Sequence, residues 1–268
     1  MKLLKSGQHF GVNKRTIKLD GTILTEAASC VGMNVPWHYH ENAYFFFHLC
    51  GRLDEVNKKN TVTCVPGTLL FHHWQDPHFD KNFSKDAAFF HVEIEDRWFL
   101  KHHLKPSIVE GSMQLKSPLL KNVVRKIHHE MSLFDPVTQV SVDGLLLQAI
   151  AEMTRSSINK SSKTPAWVNK VKEILNVSDK EPVSLQLLSK ETGIHPVHLS
   201  KEFPKYFNCS FGEYIRSARI ERAISLLSKS SLKLSEIAYT CGFSDESHFI
   251  RSFKELMATT PARYRKRN

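Results

Sequence analysis

Two short segments near the C-terminus share one design, and they constrain the fold more than any other feature of the chain. A short helical pattern ends at Gly193 and a new one begins at Pro196 in the segment SLQLLSKETGIHPVHLSKEF. Gly242 holds the same place in LSEIAYTCGFSDESHFIRSFKE, and Ser244 is placed as the N-cap of the helix that follows. Glycine supplies the positive φ of a tight turn between helices. The two segments therefore predict two helix-turn-helix units.

The residues between the two glycines predict how these units are joined. The glycines are 49 residues apart, and residues 211–228 show a helical pattern that predicts a connecting helix roughly 27 Å long. A helix of that length can hold two recognition helices near the spacing of about 34 Å between successive major-groove faces of DNA. Helical patterns cover this whole part of the chain, at 166–177, 184–192, 196–206, 211–228, 234–240, 245–257 and 261–266.

The charge of the chain favours a nucleic-acid partner. The net charge is +10, and residues 166–268 carry 17 Lys and Arg against 11 Asp and Glu, where residues 1–165 carry 20 against 16. A basic surplus favours nucleic acid first and an anionic membrane second. Because the surplus is densest beside the helix-turn-helix units, we expect DNA and no membrane partner. The chain also lacks the apolar run of about 20 residues that spans a bilayer and the apolar stretch of a signal peptide, so we expect a cytoplasmic protein.

Residues 167–268 resemble the DNA-binding domain of the AraC/XylS family of bacterial transcription regulators. The resemblance rests on the runs FGEYIRSARIERAISLL, IAYTCGFSDESHFIRSFKE and TTPARYRK. It implies a cytoplasmic bacterial regulator that binds double-stranded promoter DNA, forms a homodimer and works with RNA polymerase. The target promoter and the sign of regulation, activation or repression, stay open.

The resemblance also implies which side chains meet DNA. The apolar positions of the two recognition helices, Leu199 and Phe203 in the first and Phe249 and Phe253 in the second, must face inward, which leaves the polar residues between them to face outward. The implied base contacts are Val197, Ser200, Lys201, Glu246, Ser247, His248 and Arg251. The implied phosphate contacts, which set register rather than sequence, are Lys205, Arg263, Arg265, Lys266 and Arg267.

Side-chain chemistry suggests individual roles for some of these residues. Arg251 suits a bidentate contact with guanine, Lys201 suits guanine or a phosphate, and Val197 suits a thymine methyl group. For the basic cluster at 263–267, the alternative is a solvated charged surface. Pro204 departs from the family pattern and predicts that the first recognition helix bends or ends there, because proline removes a helix hydrogen bond.

The first part of the chain predicts β structure. Segments such as Tyr44–Leu49 and Thr61–Val65 are rich in aromatic and β-branched residues, a hairpin fits residues 51–65 with its turn near Lys58–Asn60, and another strand begins near Ala87. Several short strands at close spacing predict a barrel or a sandwich.

The pattern becomes helical after residue 117. Pro118 fits the first position of a helix that runs to Phe134, and a second helix fits Val142–Ser157. The predicted fold class is an α+β multidomain protein with a cupin-like β-barrel and a helix pair before an all-α domain. The predicted divisions are a barrel sensor domain over 1–116, a helix pair for dimerisation or docking over 117–158, a polar linker over 159–166, and the DNA-binding domain over 167–268.

The stretch GMNVPWHYHENAYFFFHLCG resembles the first motif of the cupins. His38 and His40 are two residues apart on a predicted strand, so both point into the barrel, as the metal-holding histidines of cupins do. His78, followed by Asn82, fits the spacing of the second motif. Tyr44 stands where a metal-binding cupin has glutamate, and Glu41 points to the opposite face of the strand.

Three interpretations of these histidines stay open. The resemblance extends to the sensor barrel of AraC-type regulators, which implies a small-molecule effector pocket lined by His38, His40, Tyr44 and His78. A metal is not expected, although three histidines suffice for zinc and the ligands would be His38, His40 and His78. The third interpretation is ordinary packing. The adjacent pairs His72–His73 and His102–His103 are expected at surfaces or loop ends.

The sequence thus predicts a sequence-specific, DNA-binding transcription regulator modulated by a small-molecule effector, with no enzymatic activity and no cofactor. The alternative is a metal-dependent cupin enzyme that its C-terminal domain targets to DNA. A third interpretation, a repair protein with a reactive cysteine, has little support, because none of the five cysteines has a neighbouring His or Asp pattern.

Overall fold

The computed structural model describes residues 1–30, 32–58, 60–109, 111–158, 165–177, 183–207, 209–257 and 259–267. The chain divides into two compact units, unit 1 over residues 1–150 and unit 2 over residues 151–267. This division falls inside a helix, before the predicted linker at 159–166. Residues 159–164 of that linker lie outside the described residues, so the predicted domain boundaries stay predictions.

Unit 1 contains two β-sheets among its described residues. The first sheet has the strand order β1-β4-β9-β6-β7, and the second has the order β11-β8-β5-β10-β3-β2. The pair β1 and β4 is parallel, and the other pairs are antiparallel. The strands are β1 Lys2–Leu4, β2 Val12–Leu19, β3 Thr22–Ala28, β4 Val35–His40, β5 Ala43–Cys50, β6 Leu53–Asn57, β7 Thr61–Cys64, β8 Leu69–His72, β9 His78–Lys81, β10 Ala88–Ile94 and β11 Met113–Gln114.

The strand predictions are confirmed where the sequence made them. The aromatic run became β5, the predicted strand at 61–65 became β7, and the strand expected from Ala87 became β10. The predicted hairpin is β6 paired antiparallel with β7, with Leu53 opposite Cys64. Strand β5 is buried on both faces. Tyr44 and Phe46 face the space between the sheets, and on the other face the Arg125 guanidinium lies 5.2 Å from the ring centroid of Phe47.

Three α-helices and one turn of 3-10 helix accompany the sheets. They are α1 Asp96–Lys101, the 3-10 turn Pro106–Ile108, α2 Pro118–Leu133 and α3 Thr138–Ile158. Helix α2 ends one residue before its prediction, with Pro118 in its first turn as expected. Helix α3 begins four residues earlier than predicted, because Oδ1 of Asp135 accepts from the backbone N–H of Val137 and from the Thr138 hydroxyl. Trp98 Nε1 of α1 donates to Asp143 of α3 over 2.8 Å.

Among the described residues of unit 2, all regular secondary structure is helical, with turns and loops between the helices. Its helices after the end of α3 are α4 Ala166–Val177, α5 Leu185–Thr192, α6 Pro196–Phe207, α7 Phe211–Lys229, α8 Leu234–Thr240, α9 Glu246–Met257 and α10 Pro261–Arg267. Each matches a predicted helix within one residue at either end. None of the helices in the described residues is long and apolar enough to cross a membrane.

Of the two outcomes predicted for Pro204, an end of the helix at this residue does not occur. Helix α6 continues for three residues past this proline, to Phe207, rather than ending at it. The bond that proline removes is the one to the carbonyl of Ser200, a residue on the exposed side of the helix, where water can replace it. Phe203 keeps the next turn in place, because it is fully buried and stacks on Phe207 with ring centroids 4.0 Å apart.

Candidate nucleic-acid interface and histidine cavity

The first helix-turn-helix unit is formed by α5, a glycine turn and α6. Gly193 has φ +72° and its N–H donates to the carbonyl of Ser189 over 2.9 Å, which ends α5. Nδ1 of His195 accepts a 3.3 Å hydrogen bond from the N–H of Val197, so this histidine caps the first turn of α6. The turn therefore has the predicted geometry with an imidazole as the cap.

The second unit is formed by α8, a glycine turn and α9. Gly242 has φ +81°, and the next residue, Phe243, donates its N–H to the carbonyl of Ala238 over 3.0 Å. Phe243 is buried at the turn between the two helices, and the guanidinium of Arg219 in α7 lies 5.9 Å from its ring centroid. The turn is thus covered by a side chain of the helix that joins the two units.

The N-cap of α9 is Asp245 rather than the predicted Ser244. Oδ1 of Asp245 accepts the backbone N–H of His248 over 2.7 Å, and the Ser244 hydroxyl donates to its other oxygen over 3.0 Å. These hydrogen bonds to the charged form lower the pKa of the Asp245 carboxyl. A negative charge at this helix N-terminus is also favoured by the helix dipole.

The two recognition helices separate an apolar inner face from a polar outer face. Leu199 and Phe203 in α6, with Phe249 and Phe253 in α9, are fully buried, as predicted. Val197 is 67% exposed, so its side chain is accessible to a partner. The exposed polar candidates are Ser200, Lys201, Glu246, Ser247 and Arg251.

His248 is the one predicted base contact that is half-buried. Its Nδ1 lies 3.1 Å from the hydroxyl of Ser244, and its ring meets Phe243 edge-on with centroids 5.4 Å apart. The ring is therefore held in one orientation by the turn, and Nε2 is the nitrogen left for a further partner.

The predicted phosphate contacts differ in solvent exposure and in the hydrogen bonds that they already make. Lys205 is exposed and lies 3.8 Å from Glu202, a weak surface pair, and Arg263 and Lys266 are also exposed. Arg265 is half-buried instead, and its Nη2 donates to the carbonyl of Leu232 over 2.7 Å. It therefore ties α10 to the segment before α8, a role that the charge pattern did not predict. The side chain of Arg267 lies outside the described residues.

A cavity between the two sheets of unit 1 is the second candidate site. Five strands each contribute two residues at positions i and i+2, because alternate side chains of a strand share a face. The cavity volume is about 30 Å³, which is room for about two or three waters. The lining side chains are His9, Phe10, Met33, Val35, His38, His40, Tyr44, Phe46, Leu53, Glu55, His78, Asp80, Phe83, Phe89 and His91.

The four residues predicted to line an effector pocket all face this cavity. The Tyr44 hydroxyl lies 3.0 Å from Nε2 of His78, and the rings of His38 and His78 have centroids 4.2 Å apart. The ring of His40 is stacked parallel to that of His78 at 5.7 Å. Nδ1–H of His38 donates to the carbonyl of Pro36 over 2.9 Å, which leaves Nε2 as its lone-pair nitrogen.

Next to the cavity, one expectation from the sequence was wrong. His72 was expected at a surface or loop end, yet it is 3% exposed. It faces inward because β8 pairs with β5 so that His72 lies opposite Tyr44, on which its ring stacks with centroids 4.5 Å apart. Nε2 of His72 lies 3.1 Å from Oε2 of Glu55 in β6. The inward orientation of His72 could not be read from the sequence, because β8 (LLFH) is an apolar run without alternating polar residues.

Burial keeps these histidines neutral. It lowers the pKa of His9 and of His38 to about 4 and that of His40 to about 2. The pKa of His78 falls well below its usual value for the same reason, and burial raises the pKa of the Tyr44 phenol. The cavity therefore presents neutral imidazoles and a neutral phenol at physiological pH.

Two sets of side chains in this region have the composition of metal ligands. One is His38, His40 and His78, and the other is Glu55, His72 and His78. Within each set, the three donor atoms all lie within 4.8 Å of one another, and every residue is buried. From the sequence, only the first set was predicted, and it contains no carboxylate. The second set contains one, Glu55.

Comparison with known proteins assigns the C-terminal helices to a family. A helix-turn-helix domain family matches residues 188–267. An uncharacterized HTH-type transcriptional regulator of Escherichia coli, YijO, is 26% identical over 217 residues, which are 76% of this chain and 75% of that protein. The Msm operon regulatory protein of Streptococcus mutans is 33% identical over 123 residues, 46% of this chain and 44% of that protein.

The coverage of these relatives limits what they establish. The chain spans less than half the length of the Streptococcus protein, so the match with it concerns a part of each molecule. Among solved structures, ToxT from Vibrio cholerae is 16% identical, covering 91% of this chain and 96% of that chain with a TM-score of 0.35. A similarity at that level carries no argument about this protein.

Proposed function

Because residues 188–267 match a helix-turn-helix domain family, we propose that this chain is a sequence-specific, DNA-binding transcription regulator of the AraC type in the bacterial cytoplasm. The observation that carries the proposal is the pair of helix-turn-helix units, each with a buried apolar face and an exposed polar face on its second helix.

The exposed faces have the chemistry of base recognition. Among the described residues, neither Lys201 nor Arg251 has a hydrogen bond or ion pair within the chain, so their donors are available to guanine. Helix α7 joins the two units and has 19 residues, a length of about 28 Å. We infer that α6 and α9 read two successive major-groove faces, with Val197, Ser200, Glu246, Ser247 and His248 as further base contacts.

We assign the phosphate contacts to Lys205, Arg263 and Lys266. These three side chains are exposed and basic, which suits the positioning of a duplex by its backbone. Arg265 already donates to a carbonyl through Nη2, so it contributes mainly by orienting α10. The side chain of Arg267 lies outside the described residues, and its assignment to phosphate remains a prediction.

Unit 1 is the part of the chain that we assign to regulation. A ligand held by His38, His40, Tyr44 and His78 changes DNA affinity only if it binds one conformation of the protein more tightly than another. The cavity has room for about two or three waters. The ligand is therefore very small, or the surrounding side chains must move to admit it.

A homodimer interface is the proposed role of the connection between α2 and α3. Leu133, Phe134, Val137 and Val140 are more than half exposed within a short stretch of chain. Exposed apolar residues that cluster in this way mark interaction surfaces. We propose that a second copy of the chain covers them, and that the DNA-bound dimer acts on RNA polymerase.

The alternative, a metal-dependent enzyme carried to DNA, is less well supported. The matched relatives are regulators by name, and the helix-turn-helix family accounts for nearly all of unit 2 after α4. We therefore assign no reaction and no catalytic residue to this chain.

A mobility-shift experiment tests the proposal. The full chain is incubated with labelled promoter fragments of its own gene and of the neighbouring genes, with excess unrelated DNA as competitor. We expect at least one fragment to give a complex that the unrelated DNA does not displace and that its own unlabelled copy does. Complexes that any DNA displaces equally, from a folded protein, would contradict sequence-specific binding.

A further inference from the structure

Two carboxylates face each other inside the cavity of unit 1. Glu55 in β6 lies directly opposite Asp80 in β9 in the register of the first sheet. Glu55 is 4% exposed, and Oδ1 of Asp80 is buried with no hydrogen-bond partner among the described residues. No lysine or arginine is among the described residues that line the cavity. Because buried carboxylates are costly unless they are paired, neutralised or bound to a metal, this arrangement favours a bound cation.

Glu55 is also placed beside two histidines as a metal ligand would be. Its Oε2 lies 3.1 Å from Nε2 of His72, and the donor atoms of both lie within 4.8 Å of a donor atom of His78. Ligand atoms around a tetrahedral zinc ion, with bonds of about 2.1 Å, are about 3.4 Å apart. Small movements of the three side chains therefore suffice to place one ion between them.

The orientation of His78 leaves a nitrogen for the ion. Its Nδ1 lies 3.3 Å from the carbonyl of Asp76, to which the ring N–H donates, so the lone pair is on Nε2. Nε2 now meets the hydroxyl of Tyr44, which can turn away or share the site with the ion.

We propose that Glu55, His72 and His78 bind one divalent transition-metal ion at the border of this cavity, which Glu55 and His78 line and His72 adjoins. Two imidazoles and one carboxylate suit zinc, cobalt or iron in the divalent state better than magnesium or calcium. Asp80 lies opposite Glu55, so the two carboxylates balance the charge of the ion.

This proposal names a chemical class for the ligand of unit 1. It rests on the proposed function only for the inference that the bound ion regulates DNA binding. His38, His40 and His78 form the competing ligand set, and because His78 belongs to both sets, a single ion must choose between them. The carboxylate of Glu55 decides the choice, since it supplies the negative charge that three neutral imidazoles lack. Metal binding is measured without DNA, so this proposal and the proposed function can fail separately.

The experiment titrates the purified full chain with Co²⁺ after chelator treatment and dialysis. Visible absorption reports ligand geometry, and elemental analysis after Zn²⁺ loading reports stoichiometry. We expect one ion per chain. Glu55→Gln and His72→Gln should each weaken binding at least about tenfold, whereas His38→Gln should retain it. His128→Gln is the matched control, because His128 and Glu26 form a similar pair, 3.0 Å apart, outside the cavity.

Two results would overturn the proposal: no stoichiometric metal in the unmodified chain, or binding that survives Glu55→Gln and fails in His38→Gln. Zinc X-ray absorption of the unmodified chain decides the matter if a variant does not fold. Two imidazoles with oxygen ligands support the assignment, and three imidazoles contradict it.

Discussion

The backbone N–H of His248 lies 2.7 Å from Oδ1 of Asp245, and this contact fixes the first turn of the second recognition helix. The same histidine has its Nδ1 beside the hydroxyl of Ser244 and its ring against Phe243. The cap therefore sets both the start of α9 and the orientation of a proposed base contact.

Asp245→Ala should lower the melting temperature of unit 2, because the N–H of His248 loses its acceptor. Asp245→Asn should keep most of that stability, since an amide oxygen can accept the same hydrogen bond. Thermal unfolding of the full chain followed by far-UV circular dichroism checks both variants. Equal stability of the alanine variant and the unmodified chain would show that the cap is unimportant.

Arg251→Ala should weaken binding to a specific DNA site by about 1–3 kcal/mol and relax the preference at one base pair. Lys254→Ala is the matched control, an exposed basic residue on the same helix outside the proposed base contacts. Its effect should be small and equal for every sequence. Fluorescence anisotropy with sites varied at each base pair separates the two, and an unchanged preference in Arg251→Ala would exclude its base contact.

Gly242→Ala should destabilise unit 2 by about 1–2 kcal/mol, because an alanine at φ +81° is strained and its Cβ would lie 3.4 Å from Nε of Arg219. Gly144→Ala offers the opposite case, since Gly144 lies in α3 with no atom within 4 Å of the added carbon. That change should stabilise unit 1 by about 0.5–1 kcal/mol. Chemical denaturation of both variants tests the contrast, which fails if the two changes have the same sign.

Acid should destabilise unit 1 partly through His48. Burial lowers the pKa of His48 in the folded chain from 6.5 to about 4, so the unfolded chain binds a proton that the folded chain does not. His48 does not reduce the free energy of unfolding of unit 1 above pH 6.5. Between pH 6.5 and pH 4 it reduces that free energy by about 1.4 kcal/mol per pH unit, and below pH 4 the reduction grows no further.

His48→Gln should make this pH dependence shallower, whatever its effect on stability at pH 7. Urea unfolding between pH 7.5 and pH 4.5, followed by tryptophan fluorescence in a Trp167→Phe background, measures the slope for unit 1, because the other three tryptophans, Trp37, Trp74 and Trp98, lie there. Identical slopes for the variant and the unmodified chain would show that His48 titrates normally in the folded state.

The sequence predicted unit 2 almost completely because the signals there are local. Gly193 and Gly242 mark the turns, and an apolar spacing of four residues, as in Phe249 and Phe253, marks the buried face. The details that it missed depend on competition between neighbours. Asp245 rather than Ser244 caps α9, and Arg265 bonds to a carbonyl that lies 33 residues away in the chain.

Only some of the residues at the cavity could be predicted, because the pairing of strands depends on residues far apart in the sequence. His38 and His40 could be placed on one face from their spacing alone. Glu55 and His72 meet because β6 and β8 belong to different sheets whose inner faces oppose each other. No pattern within either strand indicates that pairing.

Selection from a random DNA library tests the central claim most directly. The full chain is used to enrich binding sites over several rounds, in parallel with Arg251→Ala. Sequence-specific reading by two recognition helices predicts sites with two short elements whose centres are about one helical turn, roughly 10 base pairs, apart. One of these elements should lose definition in the Arg251→Ala selection. Enrichment of no sequence by the folded, unmodified chain would contradict the claim.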